Sequence, residues 1–273
     1  MIRKFERYVK KIMVEKPASK FQKFLTNMTE LKDIQSLLQL LYPVSCNKSL
    51  IRFGPYGDGG YLIPNDLNGI EACFSPGVSS ISGFEKECAN RNIKVFLADK
   101  SVDNPAEIDD LFHFTKKFIG SFSNNDFMTI DYWVNSSLPN NTSDLILQMD
   151  IESFEYETLL SMSEDVISRF RIMVIEFHNL DQLWNKPFFS IAKRAFEKIL
   201  QTHDCVHIHP NNIANIQTIN NIEIITTMEF TFLRKDRVKN AQFVINFPHP
   251  LDSDNCPTRP TKILSAHWYQ GQC

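Results

Sequence analysis

The sequence predicts an α/β protein built on a mostly parallel β-sheet with helices on both faces and preceded by a helical N-terminal extension. Three observations carry this prediction. From residue 50 onward, short apolar runs alternate with helical patterns, and strands separated by helices pair in parallel and are covered on each face. Residues 1–44 instead repeat apolar positions at three- and four-residue steps, the helical period. Carboxylates and small residues gather where the apolar runs end, which is the edge at which open α/β sheets bind ligands.

In the extension, Ile2, Phe5, Val9 and Ile12 mark a first helix, accompanied by Lys4, Arg7, Lys10 and Lys11. This basic helix suits either an anionic membrane surface or a packing and dimerisation arm. The second reading is preferred, and it implies a homodimer through the N-terminal helices. A second helix is expected over residues 30–41, with Leu31, Ile34, Leu37, Leu38 and Leu41 on one stripe and Pro43 ending it. The extension is assigned to residues 1–47 and the sheet domain to 48–273.

Within that domain the strands are expected at 70–75 (IEACFS), 93–99 (IKVFLAD), 116–122 (KKFIGSF), 144–150 (DLILQMD) and 172–178 (IMVIEFH). Helices are expected over 82–90, 154–169 and 186–201. The polar stretch 123–143 reads as a loop. Two further β-rich runs, 222–236 and 241–247, suit antiparallel strands that finish the sheet edge.

Composition narrows the class. The chain of 273 residues is 43% hydrophobic and 22% charged, enough to bury a core, and its 22 Phe exclude general disorder. With 29 basic and 32 acidic residues the net charge is -3, which argues against a general nucleic-acid binder. Six cysteines at 46, 73, 88, 205, 256 and 273 include no Cys-x-x-Cys pair, so reduced thiols in a cytoplasm are expected. The first 30 residues show no signal-peptide pattern, and no apolar run reaches the length of a transmembrane helix. The Asn-x-Ser/Thr sequons read as accidents of an Asn-rich chain.

The strand ends then supply the candidate chemistry. Ser75-Pro76-Gly77 follows the first strand, and Gly77 would let a ligand approach the backbone; a plain strand-to-helix turn is the alternative. The turn is neither G-x-G-x-x-G nor a P-loop. Asp99 ends the second strand 22 residues after Gly77, where an acidic side chain can accept from both hydroxyls of a ribose. Together they imply an adenosine-type ligand. Asp150 and Glu152 end the fourth strand as a general base, metal ligand or substrate clamp. Glu155 falls in the first helical turn and is given a helix-dipole role. Glu176 and His178 lie two apart on the fifth strand, on one face, and His178 can be a base, a metal ligand or a partner of Glu176. Four of the nine glycines crowd into 54–60, a hairpin turn or a binding loop with Arg52, Asp58, Gly59 and Tyr61. His207, His209 and Asn211 gather in HIHPNN; metal binding and an ordinary strand both fit that pattern.

These pieces resemble the FkbM-like family of S-adenosylmethionine-dependent methyltransferases. LQMDIESFEYETL is similar to the family's strand-four signature, with Ser153 where a glycine is usual. VFLADKSVDNP resembles the strand-two segment, CFSPGVSSISGFE the glycine turn, and VIEFH the fifth strand; GDGGYLIP, HIHPNN and EFTFLRKD add to the likeness. It spans roughly residues 50–250. The resemblance implies a class I methyltransferase (Rossmann-like) fold of seven strands with an antiparallel last hairpin. It implies methyl transfer to a hydroxyl of a carbohydrate, glycan or related small metabolite, as in polysaccharide biosynthesis.

On this basis Gly77 approaches the methionine portion together with its neighbours Ser75, Ser79 and Glu85. Asp99 binds the ribose, with Lys100 and Ser101 flanking ribose or adenine, and Asp58, Gly59 and Tyr61 complete the cofactor set. Asp150 sits beside the sulfonium, while Glu152, Glu176 and His178 face the acceptor. His178 and Asp150 are the candidate bases. A divalent metal on Asp150, Glu176 and His178 is the alternative way to acidify the acceptor. Two other classes stay open: a metal-dependent glycosyltransferase that reads Asp150-Ile151-Glu152 as a sugar-nucleotide metal motif, and a non-catalytic adaptor on a degenerate methyltransferase fold.

Overall fold

The computed structural model describes residues 26–78, 81–139 and 142–270; the basic first helix and Ser79 lie outside the described residues. In chain order the elements are α1 (Leu31–Leu40), β1 (Leu50–Phe53), β2 (Tyr61–Pro64), β3 (Ile70–Pro76), α2 (Gly83–Ala89), β4 (Lys94–Ala98), β5 (Phe112–Thr115), β6 (Phe118–Ile119), β7 (Phe127–Met128), α3 (Ile130–Ser137), β8 (Asp144–Met149), α4 (Glu155–Ser161), α5 (Glu164–Arg169), β9 (Phe170–Phe177), α6 (Lys186–Thr202), β10 (His203–Pro210), β11 (Ile216–Ile219), β12 (Ile222–Ile225) and β13 (Met228–Arg234).

Seven strands form one sheet in the order β10-β13-β9-β8-β3-β4-β5. β3 pairs in parallel with β4 and β8, β4 with β5, and β8 with β9. β13 runs antiparallel to both β9 and β10. The chain leaves β3 toward β4 and β5, then returns to β8 on the other side. The β3–β8 boundary is therefore the switch point of strand order, where a crevice opens at the carboxyl ends of the strands.

Burial explains the central strands. Ala72, Phe74, Leu145, Leu147, Met173 and Ile175 point into a core shared with α1, α3, α4, α5 and α6. Cys73, Val95, Ile146, Ile172 and Val174 point to the opposite face. Among the described residues that second face meets one short helix, α2, with the β1–β2 hairpin completing the layer through Phe53, Tyr61 and Ile63. α1 buries Ile34, Leu37 and Leu38 against the first core, as its apolar stripe requires.

Several expected elements shift. The third sheet strand is β5, not 116–122: the chain turns after Thr115, where Lys117 N–H donates to the Thr115 carbonyl at 2.8 Å, and Phe118–Ile119 pairs instead with Phe127–Met128. The run 241–247 does not finish the sheet. Phe243 and Ile245 are exposed, and only an isolated bridge links Phe243 to Val44. β10 forms that edge instead. The run 222–236 divides, because β12 turns back on β11 while β13 enters the sheet. The helix expected over 154–169 breaks at Met162, and Ser163 restarts it by accepting from Val166 N–H. The expected loop 123–143 contains α3, whose N-cap Thr129 accepts from Tyr132 N–H. Cys46, Cys73, Cys88, Cys205 and Cys256 are free thiols, and no helix among the described residues is long and apolar enough to cross a membrane.

Candidate functional site

A cavity of about 540 Å³ opens at the switch point. Gly77 makes it accessible. A Cβ there would sit 1.5 Å from the Asp150 carbonyl oxygen, and the residue holds φ +89°, so both the close approach of β3 to β8 and the backbone path demand glycine. Val78, Val102, Ile119, Phe127, Ile151 and Phe154 make most of the wall apolar, with Asp99 at one place and Asp150 and Glu152 at another. Phe118, Phe127 and Phe154 form an aromatic group whose ring centroids lie 5.5 and 5.8 Å apart. No Lys or Arg is among the described residues that line the cavity.

Asp99 keeps one oxygen for the fold. Oδ1 accepts from Ser101 N–H and Ser101 Oγ, each at 2.6 Å, an Asx-type turn. Oδ2 has no partner among the described residues and is the oxygen left for a ligand. Ser101 lines the cavity, but its hydroxyl is spent on Asp99. Lys100 is turned to Asp126 instead.

The β8 end and the β9 end meet in a charged group. His178 Nδ1 lies 3.0 Å from Glu155 Oε1, and His178 Nε2 lies 3.8 Å from Asp150 Oδ1 and 3.6 Å from Glu152 Oε2. Glu155 is fully buried. Its Oε1 also accepts from Ile151 N–H and Ser153 N–H, which ties the turn after β8 to the helix that follows. That turn runs through Glu152 at φ +53° and Ser153 at φ +86°, a left-handed path that costs on the order of 1 kcal/mol per non-glycine residue. Asn179 steadies it by donating to Ser153 Oγ at 2.6 Å. Tyr156 Oη donates to the His178 carbonyl at 2.7 Å and holds the backbone of the imidazole.

The electrostatics follow from this packing. Burial opposes a charged His178, but the Glu155 hydrogen bond and the nearby charges of Glu155, Asp150 and Glu176 outweigh it and raise the group to about 9. Burial, with Glu176 adding to it, pushes Asp150 up to about 8 although His178 pulls the other way. Asp150 Oδ1 and Glu155 Oε2 are buried without a hydrogen-bond partner, an unusual state for carboxylate oxygens.

Glu176 stands apart from this group. It is the register partner of Glu229 on β13, accepts from Asn211 Nδ2 at 2.9 Å, and is raised to about 7 by burial and Glu229. The atoms that come within ligand distance of one another are those of Asp150, Glu155 and His178. Of the alternative metal set Asp150, Glu176 and His178, the structure brings Asp150 and His178 together with Glu155, while Glu176 is bonded to Asn211.

The remaining expected residues sit in other places. Ser75 Oγ lies 2.5 Å from Glu85 Oε1 and 2.6 Å from Gln148 Oε1, and Gln148 donates to Tyr61 Oη at 3.3 Å. Ser75, Glu85 and Tyr61 thus form a buried network under the β1–β2 hairpin and do not line the cavity. Asp58 and Gly59 belong to a loop closed by Arg52, whose Nε and Nη2 donate to the Pro55 and Gly57 carbonyls at 2.8 and 2.9 Å. Asp58 Oδ1 is 3.4 Å from Asn255 Nδ2, which also donates to Glu229. Glu155 as a histidine partner, Glu229 and the Phe118–Phe127–Phe154 group are the functional candidates that strand-end reasoning missed, while Asn211, singled out in HIHPNN, binds Glu176. Glu155 carried a sequence signal, but its position in a first helical turn had already explained it.

No protein-family model matches the sequence, and no curated protein matches it. Among solved structures, one similar chain is a protein described as a candidate methyltransferase from an antibiotic biosynthesis pathway of Anabaena variabilis. It is 10% identical, the match covers 52% of this chain and 60% of that one, and the TM-score is 0.27. A likeness at that level decides neither fold nor activity.

Proposed function

We propose that the protein is an S-adenosylmethionine-dependent methyltransferase of the FkbM-like kind, which methylates a hydroxyl of a carbohydrate or a phosphorylated, sugar-type metabolite. One observation carries the reading: an apolar cavity at the β3–β8 switch point, with Asp99 Oδ2 free at one place and Asp150 Oδ1, buried without a hydrogen bond, nearby. The residues present fit the cofactor. The apolar and aromatic wall suits an adenine, Asp99 suits a ribose, and the Asp150 carboxyl in its ionised form suits a positive charge. The absence of Lys and Arg from the described lining speaks against a sugar diphosphate, and Glu152 is largely turned to solvent, with its side chain 87% exposed. An adaptor would have no use for a buried carboxyl oxygen without a hydrogen bond in such a place.

S-adenosylmethionine, when bound, supplies a methyl carbon already activated by positive sulfur. This chain's residues then align the acceptor and move one proton. Gly77 allows the approach to the backbone, and alignment of this kind contributes about 7–11 kcal/mol at its best. The acceptor proton passes to the Asp150–His178 pair, with Glu155 fixing the imidazole through Nδ1.

Transfer of a labelled methyl group to a panel of polyols and sugar phosphates tests the reading. Replacing His178 (His178→Ala) is expected to lower turnover by about 10²–10⁴-fold, the usual worth of a positioned base, while cofactor affinity stays close to wild type. Equal losses in both would make His178 structural. Failure of the wild type to methylate any hydroxyl would contradict the assignment.

A further inference from the structure

A second group of ligating side chains lies on β10, away from the cavity. His207 and His209 are two apart on one strand and so share a face; their register partners on β13 are Thr231 and Glu229. Asp252, from the irregular tail that follows β13, reaches between them. His207 Nε2 lies 2.8 Å from Asp252 Oδ1, and His209 Nδ1 lies 3.6 Å from the same oxygen. The three ligand atoms all fall within 4.8 Å of one another. Asp252 is oriented by a further bond, since its Oδ2 accepts from His249 N–H at 2.8 Å.

An independent observation points to an occupant. His209 is only 7% exposed, yet neither of its ring nitrogens makes a hydrogen bond. An imidazole buried that deeply is normally bonded at one nitrogen at least. The ring lines a cavity of about 310 Å³, which Asp252, His249, Asp254, Thr261 and Lys262 share. Lys262, the cation of that wall, is held by the Asn212 and Ala214 carbonyls. Two imidazoles and one carboxylate, with open space beside them, are the donor set of first-row divalent metals and of zinc in particular.

We infer that His207, His209 and Asp252 form a zinc-class metal site that clamps the tail to the edge strand β10, with the cavity leaving room for a water or a small ligand to complete the coordination. The clamp has a structural consequence. The same tail carries Asn255, which donates to Glu229 at 2.8 Å, so the metal would hold this tail against the buried carboxylate of β13. The inference is independent of the methyltransferase reading, because none of its ligands belongs to the switch-point cavity.

The test is a zinc titration of the full chain, stripped with a chelator, against a chromophoric competitor. The expected result is one tight zinc per chain. His209→Gln and Asp252→Asn should each weaken it by at least about 100-fold, the upper end of what loss of a mere supporting partner causes. His178→Gln should leave it intact, and excess magnesium should not compete. X-ray absorption on the zinc-loaded wild type serves even if a variant fails to fold, and it should count two imidazole ligands. The inference is overturned if the wild type binds no zinc against the competitor, or if tight binding survives His209→Gln in a folded variant. It is overturned as well if binding is lost in folded His178→Gln, or if the absorption spectrum counts fewer than two imidazoles.

Discussion

Replacing Gly77 with alanine is expected to destabilise the fold and abolish cofactor binding together. The added Cβ would lie 1.5 Å from the Asp150 carbonyl oxygen and 2.6 Å from its carbonyl carbon. Both are backbone atoms, so no side chain can swing away. The residue must also hold φ +89°, which costs an alanine roughly 1–2 kcal/mol before any clash. Overpacking adds about 1–3 kcal/mol. Gly77→Ala should therefore lose about 3 kcal/mol or more, a fall in Tm on the order of 10 °C. Because the Gly77–Asp150 contact is where β3 meets β8, the ends of these strands must part, and Asp150 moves away from the cavity. Thermal denaturation and a cofactor titration on the same sample check this. A variant with wild-type Tm and wild-type affinity would show that the close approach is not required.

The second large effect concerns the charge on His178. Glu155→Gln keeps an oxygen that can accept from Ile151 and Ser153 N–H but removes the carboxylate at His178 Nδ1. The strongest upward pull is then lost while burial remains, and the imidazole should fall from about 9 toward its ordinary 6.5, with Asp150 and Glu176 still holding part of the rise. The sign for stability follows from linkage. A histidine raised in the folded state contributes stability that is fully present below pH 6.5 and is lost as pH rises through about 9. The contribution is at most about 3 kcal/mol, and the variant should lack this dependence. The rate should respond in parallel. In the wild type, the proton-accepting form of the Asp150–His178 pair builds up as pH rises through about 8 to 9. In Glu155→Gln that limb of the pH–rate profile should move to lower pH, toward 6.5. Histidine NMR titration and pH–rate profiles measure both effects. An unchanged His178 midpoint would contradict the assigned role of Glu155.

Much of this arrangement is legible in the sequence, for identifiable reasons. β3, β4, β8 and β9 are buried on both faces and read as apolar runs, so their ends, and hence Gly77, Asp99, Asp150 and His178, can be placed in advance. β5 is a half-buried edge strand of four residues, too short and too mixed to outscore the neighbouring Phe118–Ile119. β10 carries His203, Asp204, His207 and His209, so it does not look like a sheet strand, yet all but one of its eight residues are buried. Phe243 and Ile245 mislead in the opposite direction, because local β-propensity says nothing about whether a partner strand exists. Glu155 is invisible as a histidine partner because its contact spans 23 residues and depends on the left-handed path through Glu152 and Ser153. The His207–His209–Asp252 group has the same cause: its carboxylate comes from 45 residues away, on a tail without regular structure.

Calorimetric binding of S-adenosylmethionine and S-adenosylhomocysteine to the wild type and to Asp99→Ala tests the central claim most directly. The account predicts wild-type binding in the micromolar range, about −8 kcal/mol. It predicts a loss of about 10–100-fold in Asp99→Ala, where the only oxygen left for the ribose disappears. Absence of binding to the folded wild type, or equal affinity in Asp99→Ala, would contradict the assignment of the switch-point cavity to this cofactor.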